Sequence, residues 1–374
     1  MRSDLPGPVV VLGGAGNFGK RIVHGLVRHS VPVVIAGRDL AKAEAFARTL
    51  ADFRGGVARL DIHDPAFGRQ LAALSPSVVV NTCGPFQTAD YGVAHTCIAQ
   101  KIHYIDLADG RDFVTGITAL DEAAKAENVC IVSGASTVPG LSSAVIEHFR
   151  SEFFELDAVA MGISPGQKAE RGLATTEAIM TYVGKPLRPF AGATRPVYGW
   201  QDIFRQEFPA IGKRWMANCD VPDLDLIPQH YGTQSIRFSA GLELGVLHLG
   251  LWLLSWGVRL GLPLDLPRRA KLLLKASNLF NVFGTSDGGM FVTLRGKDKT
   301  GKACARRWFV IAKNGDGPQI PCVPAILLAK RLWEGVSHKA GAYPCVGLIS
   351  LKDYLDELKA FDIRQYEMPD GGSA

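Results

Sequence analysis

At 374 residues the chain has room for about two domains and a large buried core. Its 47% hydrophobic and 21% charged residues exclude a disordered or collagen-like polymer. A formal net charge of +5, with no long basic run, argues against nucleic-acid binding. Seven Cys, without a C-x-x-C pair or a Cys/His cluster at zinc spacing, point to reduced thiols and no metal centre. The stretch MRSDLPGP has no apolar core ahead of the first strand, so a cytoplasmic rather than secreted location is expected.

Along the first part of the chain, short β-branched runs alternate with helical patterns. PVVVL reads as a strand, and GKRIVHGLVRH carries Ile22, Val23, Leu26 and Val27 at helical spacing. VPVVIAG is a second strand and LAKAEAFARTLA a second helix, followed by the strands GVARLDI, SVVVNTCG, HYIDLAD and VCIVSGA. Continuous apolar strands alternating with helices predict a parallel sheet covered on both faces. The fold class is therefore α/β, a Rossmann-type doubly wound sheet over residues 1–140.

Beyond STVPGLSSAVIEHF the alternation stops. DAVAMGIS is strand-like, TTEAIMTYVG helical, and GMFVTLRGKDKTGKACARRWFVIAK reads as a hairpin turning at KDKTG. Residues 141–320 are thus expected to form a second, α+β domain for substrate or dimerisation. Over 321–374, AILLAKRLWEG and SLKDYLDELKAF read as amphipathic helices that could pack back on the first domain.

The run LGVLHLGLWLLSWGV, 244–258, is almost uniformly apolar and bracketed by Glu243 and Arg259. As a helix it would be about 22 Å long, short of the roughly twenty residues a bilayer core needs. It is expected to be a buried helix, an oligomer contact such as a homodimer interface, or a lipid-facing surface. His248 within it reads as a hydrogen-bonded core histidine, because no second ligand stands at metal spacing.

In VVVLGGAGNFGKRIV the residues Gly14, Gly16 and Gly19 form a G-x-G-x-x-G frame between strand and helix, with Asn17 and Phe18 inside it. Gly14 would permit the tight turn, Gly16 the approach of a pyrophosphate, and Gly19 close packing of helix on strand. The second strand ends in Gly37-Arg38-Asp39, without the acid that an NAD enzyme places there for the ribose hydroxyls. Asp39 is expected to cap the next helix, while Arg38, helped by Lys42, would meet a 2′-phosphate. The reading favours NADP. Asp61 is placed to meet the adenine edge or to cap a turn. Asn81, Gly84 and Pro85 in NTCGPF would line the nicotinamide end, and Cys83 reads as a small buried residue.

GGAGNFG, AGR, VVNTCGPF, YIDLADG and VPGL, in this order and spacing, resemble the saccharopine dehydrogenase-like oxidoreductases, in a reductase-type branch. The resemblance covers about the first 145 residues and is looser beyond. It implies a Rossmann domain, a substrate domain, and hydride exchange with NADP(H) in a cleft between them, inherited as chemistry at an imine or secondary amine. Many relatives read Tyr-x-Asp-x-x-Gly-Glu after the fifth strand, whereas this chain has Tyr104, Asp106, Asp109 and Gly110. A substrate with several carboxylates would need convergent cations, for which Arg111, Arg171 and Arg195 are available.

Hydride transfer asks the protein for orientation and a proton partner. Asp106 and Tyr104, with Asp109 and Tyr91, follow the carboxyl ends of strands, and Glu177 in ATTEAIMTY is the candidate from the second domain. No Ser/His/Asp arrangement stands in a supporting context, and no Tyr-x-x-x-Lys pair follows the fourth strand. The expected function is NADP(H)-dependent oxidation or reduction of a small molecule. The alternatives are a nucleotide sensor or scaffold without turnover, an enoyl-type C=C reductase, or a lipid-associated protein on the same fold.

Overall fold

The computed structural model describes residues 6–170, 172–336 and 339–369. The chain divides into two units, Met1–Gly140 with Pro321–Cys345, and Leu141–Ile320 with Val346–Ala374.

The first unit is built on a seven-stranded sheet. Its strands are β1 (Val9–Leu12), β2 (Val33–Gly37), β3 (Gly55–Arg59), β4 (Val78–Asn81), β5 (His103–Asp106), β6 (Cys130–Ser133) and β13 (Gly341–Pro344). They are ordered β13-β6-β5-β4-β1-β2-β3, and every pairing is parallel. The reversal of strand order beside β1 is the doubly wound pattern, which opens a crevice at the carboxyl ends. β1 and β4 are buried at every residue, as VVVL and VVVN require of central strands covered on both faces.

Helices α1 (Asn17–Arg28), α2 (Leu40–Ala47), α3 (Phe67–Ala73), α4 (Gly92–Ala99), α5 (Arg111–Gly116) and α6 (Asp121–Ala126) make the crossovers. Val10, Leu12, Val79, Tyr104 and Ile131 share one core with Leu71 of α3 and Cys97 of α4. α1 packs instead against a helix from the far end of the chain. A Cβ added at Gly25 would stand 2.4 Å from Ile326 Cδ1. A residue with any side chain there would have to displace the Ile326 side chain.

The second unit carries β7 (Glu155–Ser164), β8 (Phe204–Phe208), β9 (Gly212–Asn218), β10 (Ser235–Ala240), β11 (Gly288–Lys297), β12 (Ala303–Ala312) and β14 (Ile363–Pro369). Their order is β14-β12-β11-β7-β10-β9-β8, antiparallel except for β7 beside β10. The hairpin of β11 and β12 turns at 298–302, where the Asp298 carboxylate accepts from the Thr300 and Lys302 amides. The helices are α7 (Ser142–Phe149), α8 (Leu173–Tyr182), α9 (Asp223–Tyr231), α10 (Gly245–Arg259), α11 (Leu266–Asn278) and, in the tail, α13 (Leu351–Leu358). α8, α10 and α11 cover one core that includes Met180, Trp200, Leu251 and Ala270. Phe208, Phe291 and Phe309 belong to another.

The tail contributes more than helices. α12 (Val323–Trp333) and β13 belong to the first unit, whereas α13 and β14 belong to the second. α10, over the apolar run, is a helix as expected, but only His248, Leu251 and Ser255 on it are buried. His248 Nδ1 accepts from the Leu242 amide at 3.4 Å and its ring lies 5.4 Å from Trp200. Burial lowers its pKa to about 4, so it stays neutral. Among the described residues no helix is long and apolar enough to cross a membrane.

The contact of Gly25 with Ile326 is directly testable. Gly25→Ala should destabilise the fold by about 1–3 kcal/mol through overpacking. In a denaturation cycle with Ile326→Ala the two changes should be non-additive, the double variant losing less than the sum. Strict additivity would show that α12 does not rest on α1 there.

Candidate functional site

The turn leaving β1 is shaped by glycine. Gly13 has φ +73°, and the Gly14 amide donates to Ala36 O at 3.0 Å and Val11 O at 3.2 Å. The Gly16 amide donates back to Gly13 O at 2.8 Å. A Cβ at Gly19 would stand 2.2 Å from Gly13 O and 2.7 Å from Gly14 Cα, both backbone atoms that cannot swing aside. The G-x-G-x-x-G frame is therefore sterically required at Gly19. The left-handed residue, however, is Gly13, one position before the Gly14 expected from the frame. Gly14 is needed for a different reason, since a Cβ there would crowd Val11 O at 2.9 Å and Ile35 Cγ2 at 3.0 Å.

α1 begins at Asn17 with Gly16 as its N-cap, no side-chain cap and no acid in its first turn. Nothing on the helix itself neutralises its positive end, so the amides there suit an outside anion. The Asn17 side chain pairs with Arg21 one turn on. Phe18 is half-buried, and its carbonyl lies 3.7 Å from Cys322 Sγ. The close backbone approach and the uncapped helix start fit a dinucleotide's pyrophosphate.

At the end of β2, Asp39 caps α2, its Oδ1 accepting from the Lys42 amide at 3.0 Å. Arg38 beside it is exposed, as is Lys42. Burial pushes the Cys83 thiol up to about 11, with Arg38 pulling it down and Asp61 pushing it up. Those opposed effects place Arg38, Asp61 and Cys83 at one corner, and a thiol so shifted is protonated and unreactive at neutral pH. Asp61 Oδ1 accepts from the His63 amide at 3.1 Å, which is a turn cap.

The ends of β4, β5 and β6 are stitched by polar side chains. Asn81 Oδ1 accepts from the Cys83 amide at 3.0 Å, and its Nδ2 donates to Tyr104 Oη at 3.2 Å. Asp106, in register with Asn81, is 0% exposed. Its Oδ1 accepts from the Ala108 amide, the Gly134 amide and Ser133 Oγ, each at 2.9 Å. Burial raises its pKa to about 6 against the lowering effect of those donors. Tyr104 is 1% exposed and, also through burial, holds its proton well above the usual range. Two of the three expected catalytic side chains are thus interior, not presented at a surface.

Beyond β4, Gly84 is exposed and Pro85 half-buried, while Phe86 packs on Phe113 with ring centroids 5.3 Å apart. Gln87 Nε2 donates to Asp109 Oδ1 at 3.0 Å, and Tyr91 Oη donates to Phe113 O at 2.6 Å. Burial shifts both Asp109 and Tyr91 toward their protonated forms. Glu177 is half-buried on α8 and belongs to the second unit. Arg111 is buried at the start of α5, and Arg195, in the second unit, pairs with Asp202 Oδ1 at 2.7 Å. Arg171 lies outside the described residues. No group of three or more His, Cys, Asp or Glu suited to a metal ion occurs among the described residues. The sequence reading missed Gly13 and Thr82. Thr82 Oγ1 donates to Leu12 O at 2.8 Å and would meet a Cβ at Gly13 at 2.5 Å. The doubled glycine at 13–14 was the one signal for this contact.

Residues 9–132 match the family model described as saccharopine dehydrogenase NADP binding domain. No curated protein matches the chain in sequence. Among solved structures it is similar to an apo, histidine-tagged saccharopine dehydrogenase (L-Glu forming) from Saccharomyces cerevisiae. That likeness has 11% identity and a TM-score of 0.65, covering 97% of this chain and 100% of the yeast chain, and shows the shared fold. An amine dehydrogenase from Mycobacterium smegmatis matches at 12% identity and a TM-score of 0.46, over 92% and 96% of the two chains. GenD2 from gentamicin A biosynthesis, solved in complex with NAD, matches at 13% identity and a TM-score of 0.41, over 98% of each chain. Residues 9–132 are thus similar to the NADP-binding domain of saccharopine dehydrogenases, and the chain shares the fold of the yeast enzyme.

Proposed function

We propose that the protein is an oxidoreductase that prefers NADP(H) to NAD(H) and works at a C–N centre, reducing an imine or oxidising a secondary amine. The observation that carries the cofactor preference is the pair at the end of β2. Asp39 spends its carboxylate on the Lys42 amide, and Arg38 is exposed beside it. A carboxylate committed to a helix cap is a poor ribose acceptor, whereas a guanidinium can fork onto a 2′-phosphate. The C–N centre rests on the family resemblance and on the named activity of the yeast enzyme that shares the fold. Since Arg195 already faces Asp202, a substrate with several carboxylates is not part of the proposal.

The nicotinamide, when bound, supplies or accepts the hydride. The chain's own residues hold and orient. Gly13, Gly14 and Gly19 let the backbone come close, and the start of α1 faces the pyrophosphate with its amides. Asn81, Gly84 and Pro85 form the wall after β4. Asp106 and Tyr104 act as positioning residues that fix the ends of β4, β5 and β6. Of the three expected catalytic residues, Glu177 alone keeps exposed surface.

Arg38→Asp should weaken NADPH binding by about tenfold or more and leave NADH nearly unchanged, because a charge-assisted contact contributes about 1.5–3 kcal/mol. Equal affinities for the two nucleotides in the unaltered protein would reject the preference. Turnover followed by NADPH absorbance should occur with imines, and turnover on enones alone would reject the C–N centre.

The buried carboxyl makes a separate expectation with a definite sign. Folded Asp106 keeps its proton up to about pH 6, whereas the unfolded chain releases it near the ordinary value of 3.8. Between those limits the folded state binds more protons, so stability falls as pH rises. Asparagine does not titrate. The stability of the natural chain relative to Asp106→Asn should therefore decline from pH 4 to 6 and level off above, on a scale of ~1.4 kcal/mol per pKa unit. Denaturant melts across this range that differ by a constant amount would remove the carboxyl from its assigned place.

A further inference from the structure

Nine of the fourteen large apolar side chains exposed among the described residues fall between 246 and 283. On α10 and its C-cap, Val246, Gly250, Leu253, Gly257 and Leu260 follow helical spacing along one stripe, opposite the buried His248, Leu251 and Ser255. The three apolar members of the stripe are 64%, 62% and 77% exposed. On α11 and the turn after it, Leu272, Leu279, Val282 and Phe283 are each at least 66% exposed. The two helices lie over one core and are joined at both ends. Leu262 and Leu264 close over Gly257 at one end. At the other, Glu243 accepts from the Gln167 and Thr285 amides, while Gln167 Nε2 donates to Ser277 O and Asn281 Oδ1. The outward direction of the apolar side chains is therefore built into the fold.

The same segment carries most of the chain's net charge. Arg259, Arg268, Arg269, Lys271 and Lys275 stand there against Asp265 alone, a local balance of +4 in a chain of +5. Arg259 is held by Gln201 and lies over the rings of Tyr198 and Trp256, and Arg268 pairs with Asp265. Arg269, Lys271 and Lys275 are exposed and form no ion pair among the described residues. We propose that α10 and α11 form a docking face for a bilayer that carries anionic lipids, lying in its interface without crossing it. Apolar side chains interleaved with cations, and a Trp near their border, match acyl chains below anionic headgroups. A second copy fits less well, because a two-fold contact would set this basic patch against itself.

Flotation of the full chain with phosphatidylglycerol-containing vesicles tests this. The expected result is binding that is lost on pure phosphatidylcholine vesicles and in high salt. Arg269→Glu with Lys275→Glu should reduce vesicle-bound protein by about tenfold or more. Leu253→Ser with Leu260→Ser should do the same through lost apolar insertion, and both pairs should keep the parent's melting temperature and NADPH affinity. Absence of flotation, or equal flotation on neutral vesicles, would overturn the proposal. So would variants that dissociate a solution dimer while vesicle binding is untouched, which would assign the face to a second copy. NADPH titration of the same samples reads the cofactor site independently, so failure of one reading is not failure of the other.

Discussion

The first unit is organised around how closely α1 approaches the turn that leaves β1. The 2.2 Å that would separate a Cβ at Gly19 from Gly13 O is the limiting distance, because both sides of the contact are fixed by main chain. Where side chains collide a rotamer can change, but here only a shift of the helix would relieve the clash. The helix is thereby held with its first turn over the carboxyl ends of the strands, without an acid or side-chain cap. Thr82 secures the neighbouring strand end by donating to Leu12 O. Close packing and an uncapped helix start are thus consequences of one steric requirement.

A second layer of order comes from the polar side chains between β4, β5 and β6. Parallel strands share backbone hydrogen bonds only over their paired length, so their ends need another tie. Asn81 and Asp106 supply it. The Asp106 carboxylate reaches across to Ser133 and Gly134, and Asn81 reaches Tyr104 and the Cys83 amide. Burying a carboxyl opposes ionisation, which is why its pKa rises despite three donors. The loops beyond, with Gly84, Pro85 and Gln87, depart from a fixed floor. Pre-ordered walls of this kind lower the ordering cost when a flat ring is bound.

The sequence exposes some of this plainly and hides the rest for physical reasons. Central parallel strands read as unbroken apolar runs, so β1, β2 and β4 were legible, as was the cap at Asp39 from its place before an alternating Ala-rich helix. β13 was not. GAYP is four residues with a glycine at one end and a proline at the other, and it becomes a strand only because the edge of β6 offers it a register. β14, IRQYEMP, has too little apolar alternation to announce itself and is fixed by β12. Asp106 was found by its place after a strand, but residue type says nothing of its burial or of its ties to Ser133 and Gly134. The apolar run at 244–258 gave helix and length correctly. Which of its sides faces the core depended on contacts with β9 that sequence does not reveal.

The carboxylates at the mouth of the first sheet explain how an anionic cofactor is compatible with so many acids. Asp39, Asp61, Asp106 and Asp109 all lie at or just beyond strand ends. A dinucleotide phosphate would be repelled by four unengaged negative charges within reach of a Debye length of about 8–10 Å. None of the four is unengaged. Asp39 and Asp61 accept from the amides of Lys42 and His63, whose positive ends offset part of their field. Asp106 and Asp109 are shifted by burial toward neutrality and accept from Ser133 and Gln87 respectively. Arg38 is exposed at the same corner and its cationic charge is not offset by a side-chain carboxylate of its own strand end, since Asp39 is turned to the helix. The acids thus shape the backbone while the cation sets the field. That division follows from hydrogen-bond partners rather than from composition.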